Sequence, residues 1–242
     1  MIYPKILAED NHLLVVNKPQ GWITQGALPG QRSLLEWAKE DLKRRYQKPG
    51  NVFLGVVSRL DGPVSGVVPL ARTSKAASRL SEQIRNRQVE KIYWALVVGT
   101  PHTASGRWVD GLWRNEAAAI SRIVPLEAPE AKEAILEYRM LATDGARSLL
   151  ELKLETGRKH QLRAQLAHHG HPIIGDTLYA PVGSPSDRQG RIPKAIALHC
   201  RFFGCLHPTR GEPIGWVAPL DSHWIPAGLG APLLDWLRMA QA

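Results

Sequence analysis

Read as a string of apolar and polar positions, the chain changes period repeatedly, and each change marks an element. His12 to Asn17, HLLVVN, is a short apolar run closing at Lys18, Pro19, Gln20 and Gly21, the pattern of a buried strand ending in a turn. Lys18 is then expected at the strand's end, where a core opens to solvent. Ser33 and Glu36 form a capping box ahead of Leu34, Leu35, Ala38, Leu42 and Tyr46, spaced for one helical face, and Pro49 with Gly50 stops the helix. Its other face carries Lys39, Lys43, Arg44 and Arg45, a pattern that is usually solvation, though it could also touch a phosphate backbone. Val67 to Ala71 reads as a strand, and Thr73 or Ser74 caps a basic helix with Ala77, Leu80 and Ile84 inward.

Lys91 to Gly99, KIYWALVVG, is aromatic and β-branched, so a strand is expected with Ile92, Trp94, Leu96 and Val98 on one face and Tyr93 on the other. From Arg107 to Leu141 the pattern predicts several short strands with turns. Leu150, Leu152 and Leu154 alternate with Glu151, Lys153 and Glu155 as in a half-buried strand. Thr156 to Gly170, TGRKHQLRAQLAHHG, predicts a helix that Thr156 caps and Gly170 ends. That helix is electrostatically back to front. Arg158 and Lys159 fall in its first turn and Arg163 close behind, where the helix dipole favours anions, so a negative group is expected to compensate them. Asp61 and an RNA phosphate are both candidates. Pro232 to Met239 predicts a short amphipathic helix with Leu234, Trp236 and Leu237 to bury.

Composition sharpens this. The chain has 242 residues, 44% hydrophobic and 22% charged, which excludes disordered and fibrous classes. An excess of 31 Lys and Arg over 22 Asp and Glu gives a formal charge of +9 and favours a polyanionic partner, with nucleic acid foremost. Cys200 and Cys205 are too few for a disulfide framework, and with no signal-peptide pattern or membrane-length apolar run the chain is expected in the cytoplasm, off the membrane.

Candidate chemistry centres on Ser58 to Leu70, SRLDGPVSGVVPL, where Asp61 stands between an arginine-bearing approach and a Gly-Pro-Val-Ser-Gly turn. Gly62 and Gly66 can supply backbone angles closed to other residues and Pro63 fixes one, so the carboxylate's surroundings are expected to be stiff. Alone, such a stretch reads as a structural turn. His160, His168, His169 and His171 invite a metal, yet adjacent histidines point apart on a helix and no acids complete a ligand set. No glycine-rich phosphate loop, GxSxG elbow or dinucleotide fingerprint is present.

Five stretches in order, KPQG (18–21), SRLDGPVSGV (58–67), KIYWALVVG (91–99), LKLETGRKHQLRAQLAHHGHPIIGDTLY (152–179) and LHCRFFGCLHPTRGE (198–212), resemble the RluA-type pseudouridine synthases. The resemblance implies an α+β fold, a single pseudouridine synthase-like domain with a largely antiparallel central sheet, flanking helices and a basic cleft. It implies isomerisation of uridine in ribosomal or transfer RNA with base flipping and without cofactor or metal, by a protein expected to be a monomer. Asp61 matches the catalytic aspartate and Arg163 the arginine that pairs with it. Tyr93 matches the tyrosine that packs on the target uracil, and Arg59 the arginine that fills the gap left by the flipped nucleotide. Lys18, Arg158, Lys159 and His160 are expected to contact RNA.

The family usually has histidine where Ser58 stands and a polar pair where Gly62 and Pro63 stand. Many members carry a small helical RNA-binding domain ahead of the catalytic one. Here the expectation is a catalytic domain over 1–225 without that domain, then a tail over 226–242 with a short helix. Two other readings are a non-catalytic RNA-binding protein, which Ser58 supports, and a metal-dependent nuclease built on the histidines.

Overall fold

The computed structural model describes residues 2–26, 30–117, 119–180, 195–221, 224 and 229–240. Its strands pair in a largely antiparallel manner and are accompanied, among the described residues, by four helices, the α+β class expected. The chain divides into two compact units, Met1–Lys91 with Cys200–Leu220, and Ile92–His199 with Asp221–Ala242.

In the first unit, β1 (Lys5–Glu9) pairs with β2 (Leu13–Lys18), and β2 pairs antiparallel with β4 (Ser65–Ala71), so that Lys18 stands opposite Gly66. Every residue of β4 is buried, as its unbroken apolar run predicts for a strand covered on both faces. Two-residue β3 (Gly55–Val56) borders the end of β4, and β10 (Leu198–Leu206) pairs antiparallel with β11 (Pro213–Val217). Helix α1 (Leu34–Arg45) begins where the capping box predicts, with the Ser33 hydroxyl accepting from the Glu36 N–H at 3.4 Å. Thr73 caps α2 (Ser74–Arg85) through the Ala76 N–H at 3.1 Å. Its inward face is Ala76, Leu80 and Gln83, one residue round from the face expected, because the Gln83 side chain bonds both polar backbone atoms of Leu206.

In the second unit, β5 (Glu90–Val98), β9 (Arg147–Leu154), β8 (Lys132–Thr143), β6 (Ser105–Asn115) and β7 (Ile120–Val124) neighbour one another in that order, all antiparallel. The expected series of short strands is instead three, two of them long, because exposed Arg107 and Arg139 share one face while Asp110, on the other, takes the Gln165 amide of the next helix at 2.7 Å, so the polar residues do not break the ladder. Both faces of β5 are buried from Tyr93 to Val97. Helix α4 (Ala231–Met239) buries Leu233 and Leu237, while Trp236 meets Trp94 edge to face at 5.0 Å. Gly230, just ahead of it, donates its N–H to the Asp144 carboxylate at 3.0 Å. No helix among the described residues is long and apolar enough to cross a membrane.

The largest departure from expectation is α3 (Gln161–His168), which starts four residues later than the predicted helix, with His160 and not Thr156 at its N-cap. Thr156 caps nothing. Its hydroxyl accepts the Ile135 N–H at 2.8 Å and donates to the Gln161 side chain at 2.9 Å, fastening the preceding loop to β8. His160 enters the helix with a left-handed φ of 55°. Arg158 and Lys159 therefore precede the helix, and only Arg163 lies in its first turn.

Candidate active site

Within the first unit, the Asp61 loop is held from below by groups belonging to the turn after β2. Thr24 grips the residue before Asp61 twice, its hydroxyl accepting the Leu60 N–H at 3.1 Å and donating to the Leu60 carbonyl at 2.9 Å. The Gly62 carbonyl accepts from the Gly21 N–H at 2.8 Å, and the Asp61 carbonyl accepts from the Val64 N–H at 3.1 Å. The loop is thus pinned immediately before and after the carboxylate, which is half-buried. Gly66, with φ 121°, is demanded by close approach: a side chain there would run into the Cys200 backbone. Gly62 needs no left-handed angle, contrary to expectation.

Lys18 is not the solvent-facing strand end expected. Its side chain is completely buried, and its ammonium donates to the carbonyls of Trp22 at 2.6 Å, Pro19 at 3.2 Å and Gly62 at 3.4 Å. These acceptors, turned inward where the chain reverses after β2, draw the cation under the Asp61 loop. Burial lowers its pKa from 10.5 to about 7, against the opposing pull of the Asp61 charge. Arg59 is exposed on the approach to Asp61, and Ser58 is half-buried.

Within the second unit, Arg163 and Asp176 form a buried two-pronged ion pair at 2.6 and 2.7 Å, with side-chain exposures of 3% and 0%. A negative group does compensate this cation. It is Asp176, thirteen residues on, in the Gly-Asp turn that follows the helix. The guanidinium also lies 5.0 Å from the Tyr179 ring centre. The Tyr179 hydroxyl accepts the Ser121 N–H at 2.9 Å and bonds His160 Nδ1 at 2.9 Å. Arg158 and Lys159 are exposed, with Arg158 Nε on the Glu133 carbonyl at 3.1 Å. Tyr93 is buried in β5 opposite Leu152.

Of the remaining histidines, His168 and His169 meet edge to face at 5.2 Å. His169 stacks on Trp108 at 4.0 Å and 9° while bonding Asp110, and His171 bonds the Val98 carbonyl. No group of three metal-binding side chains gathers among the described residues. Sequence reasoning assigned no role to Thr24, Gln161, Asp176 or Tyr179. Of these, only Asp176 left a legible signal, being an acid close in sequence to a cluster of uncompensated cations. A carboxylate on a doubly pinned backbone beside a buried cation is equipped to act as nucleophile or base with little reorganisation.

RNA pseudouridylate synthases match the chain over residues 12–168. Ribosomal large subunit pseudouridine synthase D of Xylella fastidiosa is 36% identical over 222 residues, covering 89% of this chain and 65% of the relative. tRNA pseudouridine synthase C of Pectobacterium carotovorum is 33% identical over 237 residues, 91% of this chain and 60% of the relative. Among solved structures, human RNA pseudouridylate synthase domain containing 4 superposes with a TM-score of 0.73 at 26% identity, over 96% of this chain and 92% of that one. The chain spans about two thirds of the length of the curated relatives it matches.

Proposed function

Because the chain belongs to the RluA family of RNA pseudouridine synthases, we propose that it isomerises a uridine of ribosomal or transfer RNA to pseudouridine, with Asp61 as the catalytic carboxylate. The observation that carries this reading is the Asp61 backbone, fixed on one side by Thr24 and on the other by Gly21 and Lys18. The bond from N1 of uracil to the ribose carbon breaks, the base turns, and C5 bonds to that carbon. The proton on C5 leaves and N1 gains one, so no oxidant or cofactor is consumed. A carboxylate can serve by attacking the sugar, by attacking the base or by assisting a glycal route, and in each it must start ionised.

Tyr93 and Arg59 take the roles the motifs imply, the first against the uracil and the second in the gap the flipped nucleotide leaves. Arg163 supplies the arginine of the family's aspartate–arginine couple. Arg158, Lys159 and His160 serve RNA contact, whereas Lys18, being buried, serves the Asp61 loop. The protein acts as a cytoplasmic monomer without metal.

Asp61→Asn tests this reading by tritium release from RNA labelled at C5 of uridine. Turnover is expected to vanish while RNA affinity stays within a few-fold, and unchanged turnover would sink the assignment. Ser58 in place of histidine favours one second reading, an RNA-binding protein without chemistry, which isomerisation by the wild type excludes. Turnover indifferent to a chelator excludes the metal-dependent nuclease. Mapping pseudouridines in host RNA with the gene deleted identifies the uridine.

A further inference from the structure

We propose that the C-terminal end of α1 is an additional RNA contact, where one unstacked nucleotide lies against Tyr46 and the neighbouring phosphates meet Lys43, Arg44 and Lys48. The inference rests on RNA being the substrate, and it concerns residues outside the Asp61 loop. Tyr46 is the helix's C-cap residue and keeps 50% of its surface exposed, unusual for a ring held so firmly. Its hydroxyl donates to Glu9 at 2.7 Å. The same carboxylate takes Arg45 at 2.7 Å and Arg72 at 2.8 Å, and both guanidinium groups stand 5.3 Å from the ring centre. The Lys48 ammonium lies 6.0 Å from it.

Two tiers of charge result. Arg45 and Arg72 are the inner tier, neutralised by Glu9 and Asp41, and they fix the ring. Lys43, Arg44 and Lys48 are the outer tier, all exposed, with the Arg44 side chain 80% accessible even though it touches Asp41. Arg45, Arg72 and Lys48 stand within 6.0 Å of the ring centre, and Lys43 and Arg44 are exposed in the three residues before Tyr46, so cations predominate at this end of α1. Cations at a helix end favour the dipole, which would explain one or two of them. It does not explain a rigid exposed aromatic at their centre. Stacked bases beside a cationic track are how proteins hold unpaired RNA without reading its sequence.

The test uses the full chain and fluorescence anisotropy of a labelled oligouridylate. Tyr46→Ala is expected to weaken binding about 5- to 150-fold, the range of one base–aromatic stack, and Tyr46→Phe to stay within about threefold. Replacing Lys43, Arg44 and Lys48 together with Ala is expected to lower the slope of log affinity against log salt by about 2, at roughly 0.7 per lost phosphate contact on a single strand. On tritium-labelled RNA, KM rises in these variants and kcat holds. Should Tyr46→Ala fail to fold, the triple variant, altered only at exposed side chains, decides. Wild-type affinity and salt slope in the variants overturn the proposal while leaving isomerisation untouched. Weakened binding in the variants together with an unreactive wild type would remove the enzyme assignment and keep the contact. Capture of an acidic protein with no effect on oligouridylate also overturns it.

Discussion

Replacing Lys18 with Met tests the electrostatics beneath the Asp61 loop. An ammonium whose pKa falls from 10.5 to about 7 on folding binds its proton more weakly in the native state than in the unfolded chain. Between those two values the unfolded chain holds more protons, so stability rises as pH rises through the window and is level below it. Each tenfold change in proton affinity is worth about 1.4 kcal/mol, so the whole effect is about 5 kcal/mol, of which about 3 to 4 kcal/mol develops between pH 7 and pH 10. Lys18 is fully buried, so solvent screening does not reduce this. Urea unfolding of wild type and Lys18→Met at several pH values isolates the lysine as a difference. Other groups cancel, including Cys205, whose buried thiol is pushed up to about 12 and lowers stability in alkali in both proteins. The wild type is expected to gain on the variant by about 3 to 4 kcal/mol from pH 7 to pH 10. Parallel curves would refute the reasoning, because they would mean that the three carbonyls and the Asp61 charge fully offset burial.

Arg163→Met strands the Asp176 carboxylate in the core and is expected to cost about 3 to 5 kcal/mol in urea unfolding, with partial recovery when Asp176→Leu is added. If the double variant is no more stable than the single one, the pair is not what makes the arginine necessary. Thr24→Val keeps shape but leaves both polar backbone atoms of Leu60 unmatched, an expected loss of about 1 to 3 kcal/mol. Steady-state tritium release should show kcat falling with KM nearly constant, and a change in KM alone would speak against a positioning role.

Much of the fold was legible because local chemistry and global packing agree. Ser33 and Thr73 announce α1 and α2 by hydroxyls that cap the first turns as expected. The apolar run after Gly66 announces β4. What stayed hidden depends on groups that carry no sequence signature. The start of α3 turns on Thr156 preferring Ile135 and Gln161 to the helix N-terminus, a choice set by β8 in space. The burial of Lys18 turns on three carbonyls, and backbone carbonyls look alike in every sequence. Asp61 was legible as a residue in a stiff turn, whereas its stiffness comes from Thr24 and Lys18, some forty positions earlier.

The double hold on Leu60 and Gly62 also fixes who moves. With the peptide on each side of Asp61 tied down, the reach of its carboxylate is that of two side-chain torsions, a sphere only a few ångströms across. A uridine stacked inside a helix lies beyond such a tether, and the loop cannot lean out to meet it. On the proposed role of Asp61, travel falls to the nucleic acid, and the ease with which a given RNA lets one nucleotide swing free becomes part of how substrates are told apart.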